Sequence, residues 1–140
     1  MQIGFIGCGN ISHFHADVLM KLNQNIVAVA AKKNSPNIIP FSDKYFIKKK
    51  YYNWHEMVDN ENLDALWVVA SWNQIDSLLI PLIETGLPLF LEKPVALSSG
   101  KILKAIEIHK KSGQYIQVGY NRRFYSFIDK IKLILEKGEL

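Results

Sequence analysis

Cysteine is nearly missing from this chain of 140 residues. The one present, Cys8, excludes an internal disulfide and makes a reducing compartment, the cytoplasm, the expected location. Long apolar runs are missing too: no stretch approaches the ~20 residues of a membrane-spanning helix, so no membrane partner is expected. The chain enters its first apolar run at Ile3 without a basic and apolar leader, which argues against a secretory signal. Acidic residues are in mild deficit, 13 against 17 basic, for a net charge of +4. Much of the excess lies in Lys32, Lys33, Lys44 and the run Lys48, Lys49, Lys50, which can attract nucleic acid, a membrane surface or a phosphorylated ligand. The run lacks the interleaved glycine, aromatic and arginine pattern of an RNA-binding sheet motif, and no helix carries a continuous basic stripe, so nucleic acid is not the expected partner. Histidines are few and dispersed. His13 and His15 stand two apart, on different faces of a helix, while His55 and His109 are isolated, so no metal site is expected. No serine or cysteine has an evident base, which removes nucleophilic catalysis as well. Repeats and low-complexity segments are also lacking, and 49% hydrophobic with 21% charged residues is the composition of a folded protein. The length suits one domain, residues 1–140, with a single core.

What is present begins at Ile3 to Leu19, IGFIGCGNISHFHADVL. Ile3, Phe5 and Ile6 read as a strand, Gly7-Cys8-Gly9-Asn10-Ile11-Ser12 as a turn, and Phe14, Val18 and Leu19 as helical spacing. This is the pattern of a dinucleotide-binding strand–turn–helix. Gly7 permits a tight turn out of the strand, and Gly9 removes a Cβ where a pyrophosphate approaches the backbone. Free N–H groups and the dipole at the helix start, at Asn10 and Ile11, then favour the negative charge. Ser12 holds the third fingerprint position, usually glycine or alanine. A glycine turn that binds nothing is the alternative.

Buried-strand runs follow at Ile26 to Ala31, Ala65 to Ala70, Leu87 to Leu91 and Tyr115 to Val118. A brief strand is expected near Lys50 to Tyr52, with short helices around Phe41 to Phe46 and Trp54 to Asp59. Ile75 to Thr85 carries a helical pattern closed by Gly86, with Pro81 expected to kink it or to mark its start. Ser98 or Ser99 caps a helix whose buried face is read as Ile102, Leu103, Ala105, Ile106 and Ile108. A last helix runs through Phe127, Ile128, Ile131, Ile134 and Leu135 and stops at Gly138. Alternating buried strands and amphipathic helices predict an α/β fold, a doubly wound, mostly parallel three-layer sheet of the Rossmann dinucleotide-binding type.

The pieces GFIGCGNISHFHADVL, LFLEKPVALS and VGYNRRF, in this order and spacing, resemble the N-terminal domain of the glucose-fructose oxidoreductase, inositol dehydrogenase and MocA-like family. The resemblance runs essentially from end to end, and the Glu92-Lys93-Pro94 element is its most specific part. It implies a nicotinamide dinucleotide as cofactor and a small polyol or sugar-like substrate whose hydroxyl is oxidised or formed. Read from the residues, Lys93 follows a buried strand at the carboxyl edge of the sheet, where an ammonium can hydrogen-bond a hydroxyl and stabilise oxygen charge. The resemblance gives Lys93 that catalytic role; a surface lysine paired with Glu92 is the alternative.

About twenty residues past the glycines, where NAD-preferring folds carry an acid, stand Ala31, Lys32 and Lys33. Losing the carboxylate removes repulsion toward a 2′-phosphate and the lysines add attraction, so NADP is preferred, with NAD possible. The sequence VAVAAKK also resembles the NADP-using variant of the family. After the third buried run many relatives read threonine-proline-asparagine followed by a histidine. Here Ala70 leads into Ser71, Trp72 and Asn73, which are expected to wall the nicotinamide side, and Ile75 or Asp76 falls where the histidine would stand. Asn121 and Arg122 match the family's asparagine-arginine joint and are expected near the cleft mouth, a structural salt bridge being the alternative for Arg122 or Arg123.

Relatives continue beyond the segment resembling LILEKGEL into a second α/β domain that supplies most of the substrate pocket. A chain ending at Leu140 is therefore expected to bind the dinucleotide but to turn over slowly or not at all alone. Phe124, Tyr125, Phe127 and the last helix are expected to expose apolar surface suited to self-association or a partner chain. A non-catalytic remnant that pairs with a separate polypeptide is the second reading.

Overall fold

The apolar runs of the sequence, with the brief strand expected near Lys50, become six strands in the computed structural model, which describes residues 1–138. They are β1 (Gln2–Ile6), β2 (Asn25–Ala30), β3 (Lys49–Tyr51), β4 (Ala65–Val68), β5 (Leu89–Leu91) and β6 (Ile116–Val118). All lie in one sheet, ordered β3-β2-β1-β4-β5-β6, and every neighbouring pair is parallel. Between them run the helices α1 (Asn10–Lys21), α2 (Ile38–Lys44), α3 (Trp54–Asn60), α4 (Trp72–Glu84) and α5 (Ser99–Ser112); a 3-10 turn (Asn121–Phe124) and α6 (Ser126–Glu136) follow β6.

The sheet is buried on both faces. On one, Ala16 and Leu19 of α1 and Ile38 and Phe41 of α2 pack on Ile3, Phe5 and Val29. On the other, Met57 of α3, Leu79 and Leu82 of α4 and Ala105 of α5 cover Ala28, Leu66, Val68 and Leu89. This is the doubly wound, three-layer α/β architecture that the alternation of elements predicts. Strands leave β1 in one direction through β2 and β3, then in the other through β4, β5 and β6. The reversal places a crevice at the carboxyl ends of β1 and β4. Among the described residues no helix is long and apolar enough to cross a membrane.

Several local expectations change. The buried stripe of α1 is Ser12, Ala16 and Leu19, while Phe14 and Val18 are exposed. Small residues at 12 and 16 bring the helix close to the sheet, and that closeness turns the larger side chains outward. Pro81 lies inside α4, which starts at Trp72 rather than near the proline. An interior proline costs about 3 kcal/mol, whereas fully burying a side chain such as Ile75, Leu79, Leu82 or Ile83 contributes about 1.5–3 kcal/mol each, so packing wins. On α5 only Ala105 is buried; Ile102, Leu103 and Ile106 are exposed because α5 meets the sheet along a narrow line. α6 buries none of its residues.

Candidate functional site

The crevice at the strand reversal opens into a cleft of about 910 Å³. Its lining includes Gly7, Cys8, Gly9, Asn10 and Ile11 from the turn after β1, and Ala31, Lys32 and Lys33 after β2. Ala70, Ser71 and Trp72 follow from β4, and Glu92 and Lys93 from β5. The structure thus brings together residues from four separate strand ends. It does not bring in Asn73 or Asn121. Asn73 sits in the first turn of α4 with its Oδ1 2.5 Å from the Ser71 hydroxyl. Asn121 opens the 3-10 turn after β6, two strands beyond β4. Ser35, Asn37, Tyr52, Trp54 and Gln74 also line the cleft and were missed by sequence reasoning. Their shared signal is position, since each follows the carboxyl end of a strand.

The two glycines of the turn differ in what holds them. Gly7 has φ +102°, and a Cβ there would lie 2.5 Å from the Val69 carbonyl oxygen; its N–H donates to Ala30 O at 2.9 Å. The fold itself demands glycine at this position. Gly9 caps α1 with extended backbone and no side-chain hydrogen bond, and a Cβ there would meet nothing within 4 Å. The first-turn N–H groups of α1 consequently face the cleft with no side chain competing for them. Ser12 is fully buried and fits the fingerprint's third position by size. Cys8 is buried too, with Sγ 3.3 Å from Ser35 Oγ, which ties the turn to the loop after β2.

That loop carries the basic pair. Ala31 N–H donates to Tyr51 O at 3.0 Å, and Ser35 N–H closes a turn on Lys32 O at 3.0 Å. Lys32 and Lys33 are exposed at the cleft, and among the described residues neither forms an ion pair with a carboxylate.

At the other end, the Glu92 carboxylate is committed to protein partners. Its Oε1 lies 3.2 Å from His15 Nε2, and its Oε2 accepts the Lys93 N–H at 2.9 Å. The Lys93 ammonium is therefore not paired with Glu92, and the Lys93–Pro94 peptide is cis. Asp76, one candidate for the family's histidine position, is occupied elsewhere. Its Oδ1 accepts Leu97 N–H at 2.9 Å and its Oδ2 accepts Lys101 Nζ at 2.6 Å. The Leu97 amide, then the Lys101 ammonium, hold its carboxyl below the usual value of 3.8. Ile75, the other candidate, is buried in the core.

A cleft with an open helix start, two unpaired lysines at one end and a third lysine at the other can seat an elongated anion and place a hydroxyl beside an ammonium. The residues present fit a dinucleotide: position 9 carries no side chain and faces open space, which leaves room for a phosphate against the backbone.

Comparison with known proteins agrees with this geometry. The model of an oxidoreductase family with an NAD-binding Rossmann fold matches residues 1–120. Myo-inositol 2-dehydrogenase of Thermotoga maritima is 30% identical over 140 residues, covering 100% of this chain and 42% of that protein. Among solved structures, a probable dehydrogenase from Thermotoga maritima superposes with a TM-score of 0.84 at 29% identity, over 99% of this chain and 41% of that one. Scyllo-inositol dehydrogenase from Lactobacillus casei, solved with NAD(H) and scyllo-inositol bound, gives a TM-score of 0.85 at 19% identity, over 99% and 42%, a likeness of fold. The chain thus spans about two fifths of the length of these relatives.

Proposed function

Because this chain belongs to the oxidoreductase family with the NAD-binding Rossmann fold, we propose that it is the cofactor-holding half of an enzyme acting on a hydroxyl of an inositol, a sugar or a similar polyol. The observation that carries the reading is the unobstructed Gly9 turn opening on the same cleft as Lys32 and Lys93. When bound, a nicotinamide dinucleotide supplies the hydride acceptor or donor. The chain's own residues do the rest. The first-turn amides of α1 bind the pyrophosphate, and Ala70, Ser71 and Trp72 wall the nicotinamide end. Lys93 donates a hydrogen bond to the substrate oxygen and stabilises the negative charge that this oxygen bears once a base has taken its proton and before the hydride leaves the carbon. The inositol dehydrogenases among the relatives support a polyol substrate.

NADP is preferred over NAD in this reading. Ala31 offers no carboxylate to the ribose, and Lys32 and Lys33 attract a 2′-phosphate. Isothermal titration with NADP and NAD tests both levels of the proposal. Tighter binding of NADP is expected; equal affinities refute the 2′-phosphate assignment, and no heat with either at millimolar concentration refutes dinucleotide binding.

A further inference from the structure

We propose that His15 is a positioning residue for Lys93, joining the helix that faces the pyrophosphate to the loop that presents the ammonium. The inference rests on the dinucleotide and Lys93 reading above. The link is short and continuous. His15 Nε2 stands 3.2 Å from Glu92 Oε1, and the other oxygen of the same carboxylate accepts the Lys93 N–H at 2.9 Å. The two side chains keep only 19% and 18% of their surface, so solvent competes little for the contact.

The surroundings fix this arrangement. His15 is one turn before buried Leu19, which directs it toward the sheet. Its ring meets Phe90 at 5.2 Å and Trp67 at 6.2 Å between centroids, and those two rings stack on each other at 4.1 Å and 8°. Across from it, a Cβ on Gly119 would come within 3.2 Å of Glu92 Oε1 and 3.0 Å of the Phe90 ring. A side chain there would press on both, and they would have to give by a few tenths of an ångström. A helix and the ends of two strands thus converge on one carboxylate whose second oxygen holds the Lys93 backbone. With Glu92 engaged in this way, the Lys93 ammonium is left for a ligand.

Two variants of the full chain separate the hydrogen bond from the packing. His15→Phe keeps a ring against Phe90 and Trp67 but loses the donor; His15→Gln keeps an amide donor near the position of Nε2 but loses the ring. Amide hydrogen exchange of Lys93, followed by NMR, is expected to accelerate about five- to tenfold in His15→Phe and to stay within about twofold of the parent in His15→Gln. Affinities for NADP and for 2′,5′-ADP should not move in either variant, because in this reading Lys93 meets the substrate oxygen and not the dinucleotide. Unchanged Lys93 exchange in His15→Phe overturns the proposal, as does His15→Gln behaving like His15→Phe, or a loss of affinity for either ligand. If the parent chain binds neither ligand, the dinucleotide reading fails, and the exchange measurement still decides whether His15 positions Lys93.

Discussion

Gly7 and Gly9 are two residues apart and do different work, so alanine at each should fail differently. At Gly7 a methyl meets the Val69 carbonyl at 2.5 Å on a backbone with φ +102°. Gly7→Ala is therefore expected to lower stability by more than about 1 kcal/mol, seen as a reduced urea midpoint. At Gly9 the methyl enters open space. Gly9→Ala should keep the parent's midpoint and weaken dinucleotide binding, and a midpoint loss as large as that of Gly7→Ala would show that the open space is not there. Lys32→Asp should move preference from NADP toward NAD in titrations of the folded variant; unchanged selectivity refutes its assignment to the 2′-phosphate. The places of the glycines and of Ala31 with its two lysines at the cleft were legible from residue type and local spacing, and that of Lys93 from the family resemblance of Glu92-Lys93-Pro94. The His15–Glu92 contact was not legible. Its partners lie 77 residues apart, and only the order of strands brings them together. Asp76 was ambiguous for a related reason, since its partners Leu97 and Lys101 belong to another βα unit.

At the scale of elements, that aspartate ties α4 to α5 and to the segment before it. Asp76 accepts both the Leu97 amide and the Lys101 ammonium, and its folded pKa lies below the ordinary 3.8. A depressed carboxylate stabilises the fold above its unfolded pKa, and the contribution is lost as pH falls through the folded value. The stability gap between the parent and Asp76→Asn should accordingly be constant near neutrality and close below about pH 4, as urea midpoints from pH 2 to 7 would reveal. A gap independent of pH would mean that the charge is not what ties the helices. The strands were legible as continuous apolar runs, because a parallel sheet buried on both faces leaves no alternation to decode. The faces of α1 and α5 were less so. Apolar periodicity marks a stripe that favours burial, but which part of it meets the sheet depends on how closely the helix approaches. In α1 that was set by Ser12 and Ala16, and in α5 by Ala105 alone.

Across the whole molecule, the largest mismatch between sequence pattern and burial is α6. Phe127, Ile131, Ile134 and Leu135 form one stripe at helical spacing, yet all are exposed, and Phe124 and Tyr125 before them are exposed as well. A contiguous apolar surface of this kind marks an association site. Helical spacing sets Lys130 and Lys132 beside the stripe and Asp129 and Glu136 on the far face, with Asp129 pairing Lys132 at 3.7 Å. A second copy of α6 can bury the stripe. Self-association through this helix is expected in sedimentation equilibrium at concentrations of about 0.1–1 mM, an affinity fitting one helix pair. Ile131→Glu combined with Leu135→Lys preserves net charge and removes the centre of the stripe, so it should return the chain to monomer without changing dinucleotide affinity, because α6 contributes nothing to the cleft lining. A clean parent monomer at 1 mM refutes the association, and a dimer that survives the double substitution places it on another surface, with the exposed Ile102, Leu103 and Ile106 of α5 as the next face to alter.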